Sequence, residues 1–482
     1  MTRSLAVLAA ALLLVGCASF PTNPPLAEYV PKAGYSFDKL GLGRNNTDKL
    51  FVIVTFSGGG TRAAALAYGV LEELRATPIR GSGADATLLD EVDVISSVSG
   101  GSFTAAYYAL RGAKLFDEFP DRFLYRPIQS ELLGQMLSPL NWFRLAGLSF
   151  GRSDLAAEFY DRELFNGASY ADLIARGQRP FVVLNATDMT TGTPFPFIQD
   201  QFDMMCSDLK DVPLARAAAA SSAFPGALTP LTFQNYAGSC HYHQPSWVQR
   251  TEADHVQRIN ARRRANAVNR LSLAAEVLPE DSPPGTKGTP ARPYIHLTDG
   301  GVADNIGLRG PLDALSSTNH PWSVVQMMNN RLVDRLVVIT VNAATGASED
   351  RDKSASVPGI IDTVFTAADV PLGNYSFDTV ELMRKAADES DRDILLLEQC
   401  NKLSADRGTQ CALNLPTARK VDFYPVQVSF DYITSPKERA WFKRLPTTFE
   451  LPPDTVDKLR AVGRQLLRED PQFQLLLKHL RG

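Results

Sequence analysis

The chain has 482 residues, 44% hydrophobic and 21% charged, with 49 Lys and Arg against 53 Asp and Glu and a formal net charge of -4. That is enough chain for one large core or for two to three domains of ~150 residues. The balance excludes both capture of nucleic acid by surplus basic charge and a solvating acidic tail. Five cysteines are too few for a disulfide-built scaffold.

The first residues depart from this ordinary composition. Arg3 is followed by an unbroken apolar run from Leu5 to Val15 and then by Gly16, Cys17, Ala18 and Ser19. A membrane-spanning helix needs ~20 apolar residues, so the run predicts a secretion signal over residues 1–16. Leu14-Val15-Gly16-Cys17 also resembles the bacterial lipobox, in which cleavage leaves the cysteine as a lipid-modified N-terminus. The alternative is a plain secretory signal with an incidental cysteine; the apolar position, the small residue and Cys17 together favour a chain anchored by lipid at Cys17 in a bacterial cell envelope, at the outer membrane or its periplasmic face. Thr22-Asn23-Pro24-Pro25 reads as a tether, and residues 17–49 as tether and N-terminal extension. Removing residues 1–16 takes away Arg3, leaving 48 basic against 53 acidic residues and a charge of -5.

If Cys17 is acylated, Cys206, Cys240, Cys400 and Cys411 remain, an even number in a chain bound for an oxidising compartment. Of the three possible pairings the simplest joins Cys206 to Cys240 and Cys400 to Cys411. The alternative is four reduced thiols. No Cys-x-x-Cys spacing suggests a metal.

From residue 50 the chain alternates short apolar runs with helical patterns, as an α/β protein with parallel strands does. Leu50 to Phe56 predicts a strand that ends in Ser57-Gly58-Gly59-Gly60 before a helix over Thr61 to Arg75. Val92 to Ser97 predicts a second strand, with a turn at Ser99-Gly100-Gly101 and a helix over Ser102 to Leu110. Further strands are predicted at Phe181 to Ala186, Tyr294 to Thr298, Leu336 to Val341, Ile394 to Leu397 and Pro425 to Phe430. Helices are predicted at Leu214 to Ser221, Val380 to Ala387 and Asp454 to Leu477. The stretch from Cys240 to Pro293 reads as an insertion whose helix carries Arg258, Arg262, Arg263, Arg264 and Arg270. Such a helix either touches anionic lipid or presents a solvated face, and its thin apolar side favours the second. No later apolar run is long enough to cross a membrane.

Three turns carry the chemistry. Ser97-Val98-Ser99-Gly100-Gly101, between strand and helix, has the setting of a nucleophile elbow, although Ser97 stands where Gly-x-Ser-x-Gly has its first glycine. Ser-Gly-Gly-Ser is also common in ordinary turns. Gly58-Gly59-Gly60 offers backbone N–H groups that no side chain obstructs, suited to a developing oxyanion; no Gly-Lys-Ser/Thr follows, which argues against a nucleotide loop. Arg62, just inside the helix, holds an anion or braces the loop. Thr298-Asp299-Gly300-Gly301 puts a carboxylate at a strand end, although Asp before Gly-Gly is also a common turn former. Among the histidines, His296 projects sideways, His320 lies in a Thr-Asn-His-Pro surface turn, and His241 and His243 are a lone pair short of a metal site.

Ser57-Gly58-Gly59-Gly60-Thr61-Arg62, Ser97-Val98-Ser99-Gly100-Gly101, Ala220-Ser221-Ser222-Ala223-Phe224-Pro225-Gly226 and Asp299-Gly300-Gly301, in this order, resemble the patatin-like phospholipase family. The resemblance covers roughly residues 50 to 345, with the insertion at about 240–290, and leaves 346–482 as a C-terminal helical and strand extension packed on the same domain. It implies a three-layer α/β/α fold with a mostly parallel sheet and a Ser-Asp dyad without histidine. By that match Ser99 is the nucleophile, Asp299 the base, Gly58, Gly59 and Gly60 the oxyanion loop and Arg62 its phosphate side. The segment from Ala215 to Gly226 is a wall of the site. Ser57 replaces the family's usual Asp, a variant resembling the loop of cytosolic phospholipase A2.

The implied activity is acyl transfer from a membrane phospholipid ester to Ser99 and then to water, with no metal or cofactor. A carboxylate of ordinary pKa ~3.9 would need a partly dry site to act as base. The alternatives are a Ser-His-Asp esterase and a surface lipoprotein that binds lipid or a partner without turnover.

Overall fold

The computed structural model describes residues 19–43, 45–47, 49–79, 85–147, 149–246, 261–278, 288–316, 332–345 and 421–481, with residues 248, 283, 323–324, 327, 385, 392, 395–409 and 411 between them. The elements that carry the argument are, in chain order, β1 (Leu50–Phe56), α1 (Gly60–Ala76), β2 (Val92–Val98), α2 (Gly100–Arg111), α3 (Ile128–Leu137), α4 (Pro139–Leu145), β3 (Phe181–Asp188), β4 (Thr193–Pro196), α5 (Leu214–Ser221), β5 (Leu231–Gln234), α6 (Ala261–Leu273), β6 (Tyr294–Asp299), β7 (Arg335–Asn342), β8 (Asp422–Ser429), α7 (Pro453–Glu469) and α8 (Pro471–Arg481).

One eight-stranded sheet runs β8-β7-β1-β2-β3-β6-β5, with β4 paired to β3. Strands β8, β7, β1, β2 and β3 are parallel, while β6 runs antiparallel to both β3 and β5. Helices cover both sides of this mostly parallel sheet. That cover explains why β1, β2 and β3 are buried at every residue: a strand walled on two faces reads as continuous apolar sequence and not as alternation. Complete burial of Val52, Ile53 and Val54 contributes on the order of 2 kcal/mol each.

The register of β3 sets the position of the site. Val98, the last residue of β2, pairs with Asn185, while Asp299, the last residue of β6, pairs with the next residue, Ala186. Because β6 pairs only with the final three residues of β3, Ala186 to Asp188, its reversed direction still delivers Asp299 beside the end of β2.

Several sequence expectations change. Residues 395–406 are helical, so Leu395 to Leu397 do not form the expected strand; a short apolar run fits either state. The helix expected over Asp454 to Leu477 is two helices, because Asp470 caps a new one: its Oδ1 accepts from Gln472 N and Phe473 N at 2.8 and 2.9 Å, ahead of Pro471 at the first helical position. Thr22 to Pro25 is no loose tether, since Asn23 is buried and bonds Ser207 Oγ and the Gln234 backbone. Arg270 of α6 is likewise no solvated cation; it pairs with Asp200 at 2.6 Å and donates to the Tyr242 hydroxyl. Cys17, Arg258, His320 and most of Val380 to Ala387 lie outside the described residues. Among the described residues, no helix is long and apolar enough to cross a membrane.

The C-terminal elements build part of the same body. β8 extends the sheet beside β7, and α7 packs along α1 so closely that a Cβ on Gly69 would collide with the Arg460 carbonyl. Cys206 and Cys240 form one disulfide, and Cys400 and Cys411 form a second.

Candidate active site

Ser99 occupies the tight turn between β2 and α2 with φ 49° and ψ -121°. A non-glycine residue there is strained by about 1–3 kcal/mol and persists only where its surroundings hold it. Two supports are visible. The Ser99 N–H donates to Ser221 Oγ at 2.9 Å, and Ser221 Oγ donates in turn to the Asn185 carbonyl at 2.7 Å. On the far side of the turn Gly100 lies flush against Gly60, where any Cβ would strike the Gly60 carbonyl. Ser97 is explained by the same region: it is fully buried, its hydroxyl donating to the Val183 carbonyl and accepting from Ser102 Oγ.

That contact brings the N-termini of α1 and α2 together beside Ser99. Their aligned dipoles make the corner favourable to negative charge, by about 0.3–1 kcal/mol per helix and more where water is excluded. The glycine loop is not equally available along its length. Gly58 N–H donates to the Asn305 carbonyl at 2.9 Å, which removes it from the three amides expected to face an oxyanion. Gly59 and Gly60 keep amides with no acceptor among the described residues.

Asp299 is 4% exposed, so the dry setting expected of a basic carboxylate is present. Its Oδ1 accepts from Gly301 N at 2.8 Å, its N–H donates to the Ala223 carbonyl, and its carbonyl accepts from Thr187 Oγ1. Ser99 and Asp299 open onto one cavity of about 50 Å³, walled by Gly58, Gly59, Arg62, Phe224, Asn305, Ala344, Thr345 and Thr447. Among the described residues, no histidine lines it. His296 lies on the exposed side of β6 against Thr232, 3.1 Å from its hydroxyl, and His241 meets Glu28. Among the described residues, no cluster of potential metal ligands occurs.

Arg62 is buried, lines the cavity and braces its wall. Its Nε donates to the Ala343 carbonyl, Nη1 to the Leu445 carbonyl and Nη2 to Thr447 Oγ1, at 2.9, 2.7 and 3.1 Å. Thr61 N–H donates to the Thr448 carbonyl beside it. The segment 445–448 thereby closes the glycine loop from outside.

Three contributors escaped the sequence reading. Asn305 reaches the cavity from six residues beyond Asp299; a Cβ on Gly58 would lie 2.5 Å from Asn305 Oδ1 and 3.2 Å from Ser99 Cβ. Ser221 belongs to a segment read only as a wall, although a hydroxyl ending a run of alanines is a signal. Thr447 lies far along the chain and carries no local signal.

A strained serine follows β2, a buried carboxylate ends β6 on the other side of β3, and glycine amides lie at paired helix N-termini. The patatin-like phospholipase family model matches residues 54–312, more than half of the chain, and the protein belongs to that family. Among solved structures the chain is similar to human GIVD cytosolic phospholipase A2, at 14% identity and TM-score 0.40, over 90% of this chain and 60% of that one. It is also similar to VipD from Legionella pneumophila, at 11% identity and TM-score 0.29, over 98% of this chain and 73% of that one. The chain thus spans about 60% of the length of the human chain. No curated protein matches it.

Proposed function

We propose that the protein is a serine lipid acyl hydrolase of phospholipase A or lysophospholipase type, working through a Ser99-Asp299 dyad and an acyl-enzyme. The observation that carries this reading is the shared cavity: Ser99, in the strained elbow, and the buried Asp299 open onto the same small space, which Gly59 also lines. Asp299 takes the Ser99 proton as Oγ attacks the ester carbonyl. The carbonyl oxygen gathers charge against the Gly59 and Gly60 amides, and Asp299 returns the proton to the leaving alcohol. Water then attacks the acyl-serine by the same path, releasing the fatty acid. Removing one such oxyanion donor in a serine hydrolase costs about 3–4 kcal/mol of transition-state stabilisation. Asn305, on the cavity wall, orients the substrate ester. Anchoring through acylated Cys17 in a bacterial envelope would hold the enzyme at its substrate, which a near-neutral chain does not attract by charge.

Labelling with a fluorophosphonate ester tests the reading. Native protein should be labelled and release fatty acid from mixed phospholipids, and Ser99→Ala should do neither. Absence of both in the native protein would exclude the enzyme reading and leave a lipid-binding lipoprotein. Metabolic labelling with a fatty acid analogue, compared between native chain and Cys17→Ser, tests the anchor.

A further inference from the structure

Between α2 and β3 the chain runs through α3 and α4, joined by Ser138 alone and packed on each other. Their outer surface is apolar: Leu137 is 70% exposed, Leu140 84%, Trp142 57% and Phe143 55%, with Leu133 half exposed behind them. From Leu132 to Phe143 the sequence contains no ionisable side chain. Single exposed leucines are ordinary, but adjoining ones without intervening charge mark a surface made for an apolar partner.

The two ends of this hairpin tie it to the reactive cavity. At its start, Gln129 Oε1 accepts from Thr448 Oγ1 and Phe449 N, and Ser130 N–H donates to Glu450. That strip is continuous with Thr447, one wall of the cavity. Beyond its other end, Arg152 donates to the Gly226 carbonyl at 3.4 Å, in the loop of Phe224, another wall. The rim is charged where the centre is not: Arg144 pairs with Glu158 and stacks over Phe150, and Arg126 pairs with Glu131.

We propose that α3 and α4 form the face that the molecule lays into a lipid leaflet, bringing the mouth of the Ser99 cavity to the bilayer surface. This rests on the reading of the substrate as a membrane lipid. An uncharged centre suits hydrocarbon, and Trp142 suits the level of the headgroups, inside a rim of paired charges. Burial of the leucines and Phe143 to a depth of about 5–10 Å is that of a helix lying in the interface, not spanning it.

The test uses the full chain on phosphatidylcholine and phosphatidylglycerol vesicles with brominated acyl chains. Trp142 emission, taken as the difference between native protein and Trp142→Phe, should be quenched on the vesicles. The triple variant Leu137→Gln, Leu140→Gln, Phe143→Gln should hydrolyse vesicle lipid about tenfold more slowly or worse, yet hydrolyse a short soluble ester within about twofold of native, which also shows that it folds. Unquenched Trp142 on vesicle-bound protein, or native rates of the triple variant on vesicles, would overturn the proposal. So would a dimer of the native chain that the triple variant dissolves in sedimentation, which would assign the face to a second copy. If the native chain hydrolyses nothing, the hydrolase reading fails, while Trp142 quenching still decides the surface.

Discussion

Ser221 holds Ser99 and the Asp299 turn at the same time. Its hydroxyl accepts the Ser99 N–H at 2.9 Å, and its carbonyl accepts the Gly300 N–H at 3.0 Å. One residue therefore fixes the spacing between the proposed nucleophile and base, although its own oxygens face the backbone of both and not the cavity. Removing the hydroxyl leaves a buried N–H without an acceptor in a turn already strained, at about 1–3 kcal/mol. For Ser221→Ala we expect kcat on a soluble ester to fall by about ten- to a hundredfold with KM within about twofold. Ser221→Thr, which keeps the hydroxyl, should restore much of it. An unchanged kcat in Ser221→Ala would show that the elbow holds its shape without this bond.

Asp299 and His296 share a strand, three residues apart, and separate the dyad from a triad. His296 is exposed and turned toward Thr232. Asp299→Asn, which keeps the shape and removes the base, should lower kcat by about a thousandfold or more, whereas His296→Ala should stay within about twofold of native. Loss of activity in His296→Ala would sink the dyad.

Arg62 gives three donors to Ala343, Leu445 and Thr447. Arg62→Ala should lower the thermal midpoint and reduce hydrolysis of a phospholipid and of a neutral ester in equal proportion. A selective loss on the phospholipid, with the midpoint unchanged, would instead show that the guanidinium recognises phosphate.

Burial raises the Asp203 carboxyl to about 7, with neighbouring Asp200 and Asp208 adding to the effect and Gln199 and Arg270 opposing it. The folded value exceeds the unfolded one near 3.9. The folded protein therefore holds a proton that the unfolded chain has lost, and the associated stability is present below pH ~4 and lost as pH rises to ~7. Asp203→Asn should narrow the difference in thermal midpoint between pH 5 and pH 8. Parallel midpoint curves for the two proteins would rule out this carboxyl as the source.

Much of the sheet was legible because its signals are local. A continuous apolar run followed by glycines marks where a strand stops and a helix begins, and this located Ser99 and the Gly58 to Gly60 loop without knowledge of any contact. What stayed hidden depends on distant chain segments. The loss of the Gly58 amide to Asn305 and the bracing of Arg62 by Leu445 both join residues about 250 or more positions apart in sequence. Leu395 to Leu397 failed for another reason, since three apolar residues fit a helical turn as well as a strand. The break at Asp470-Pro471 was readable from a capping carboxylate before proline, but the amphipathic period runs through it and masks it.

The closure of the glycine loop by Leu445 to Thr448 has a consequence for the order in which the protein matures. Ser99 and Asp299 are both translated well before the segment that braces Arg62 and accepts the Thr61 N–H. A nascent chain halted after β7, or a copy clipped by a protease ahead of Leu445, carries both reacting groups but lacks the strap that shapes the amides beside them. Under the proposed hydrolase activity such fragments should cleave lipid esters poorly, so chain order alone would keep unfinished copies idle.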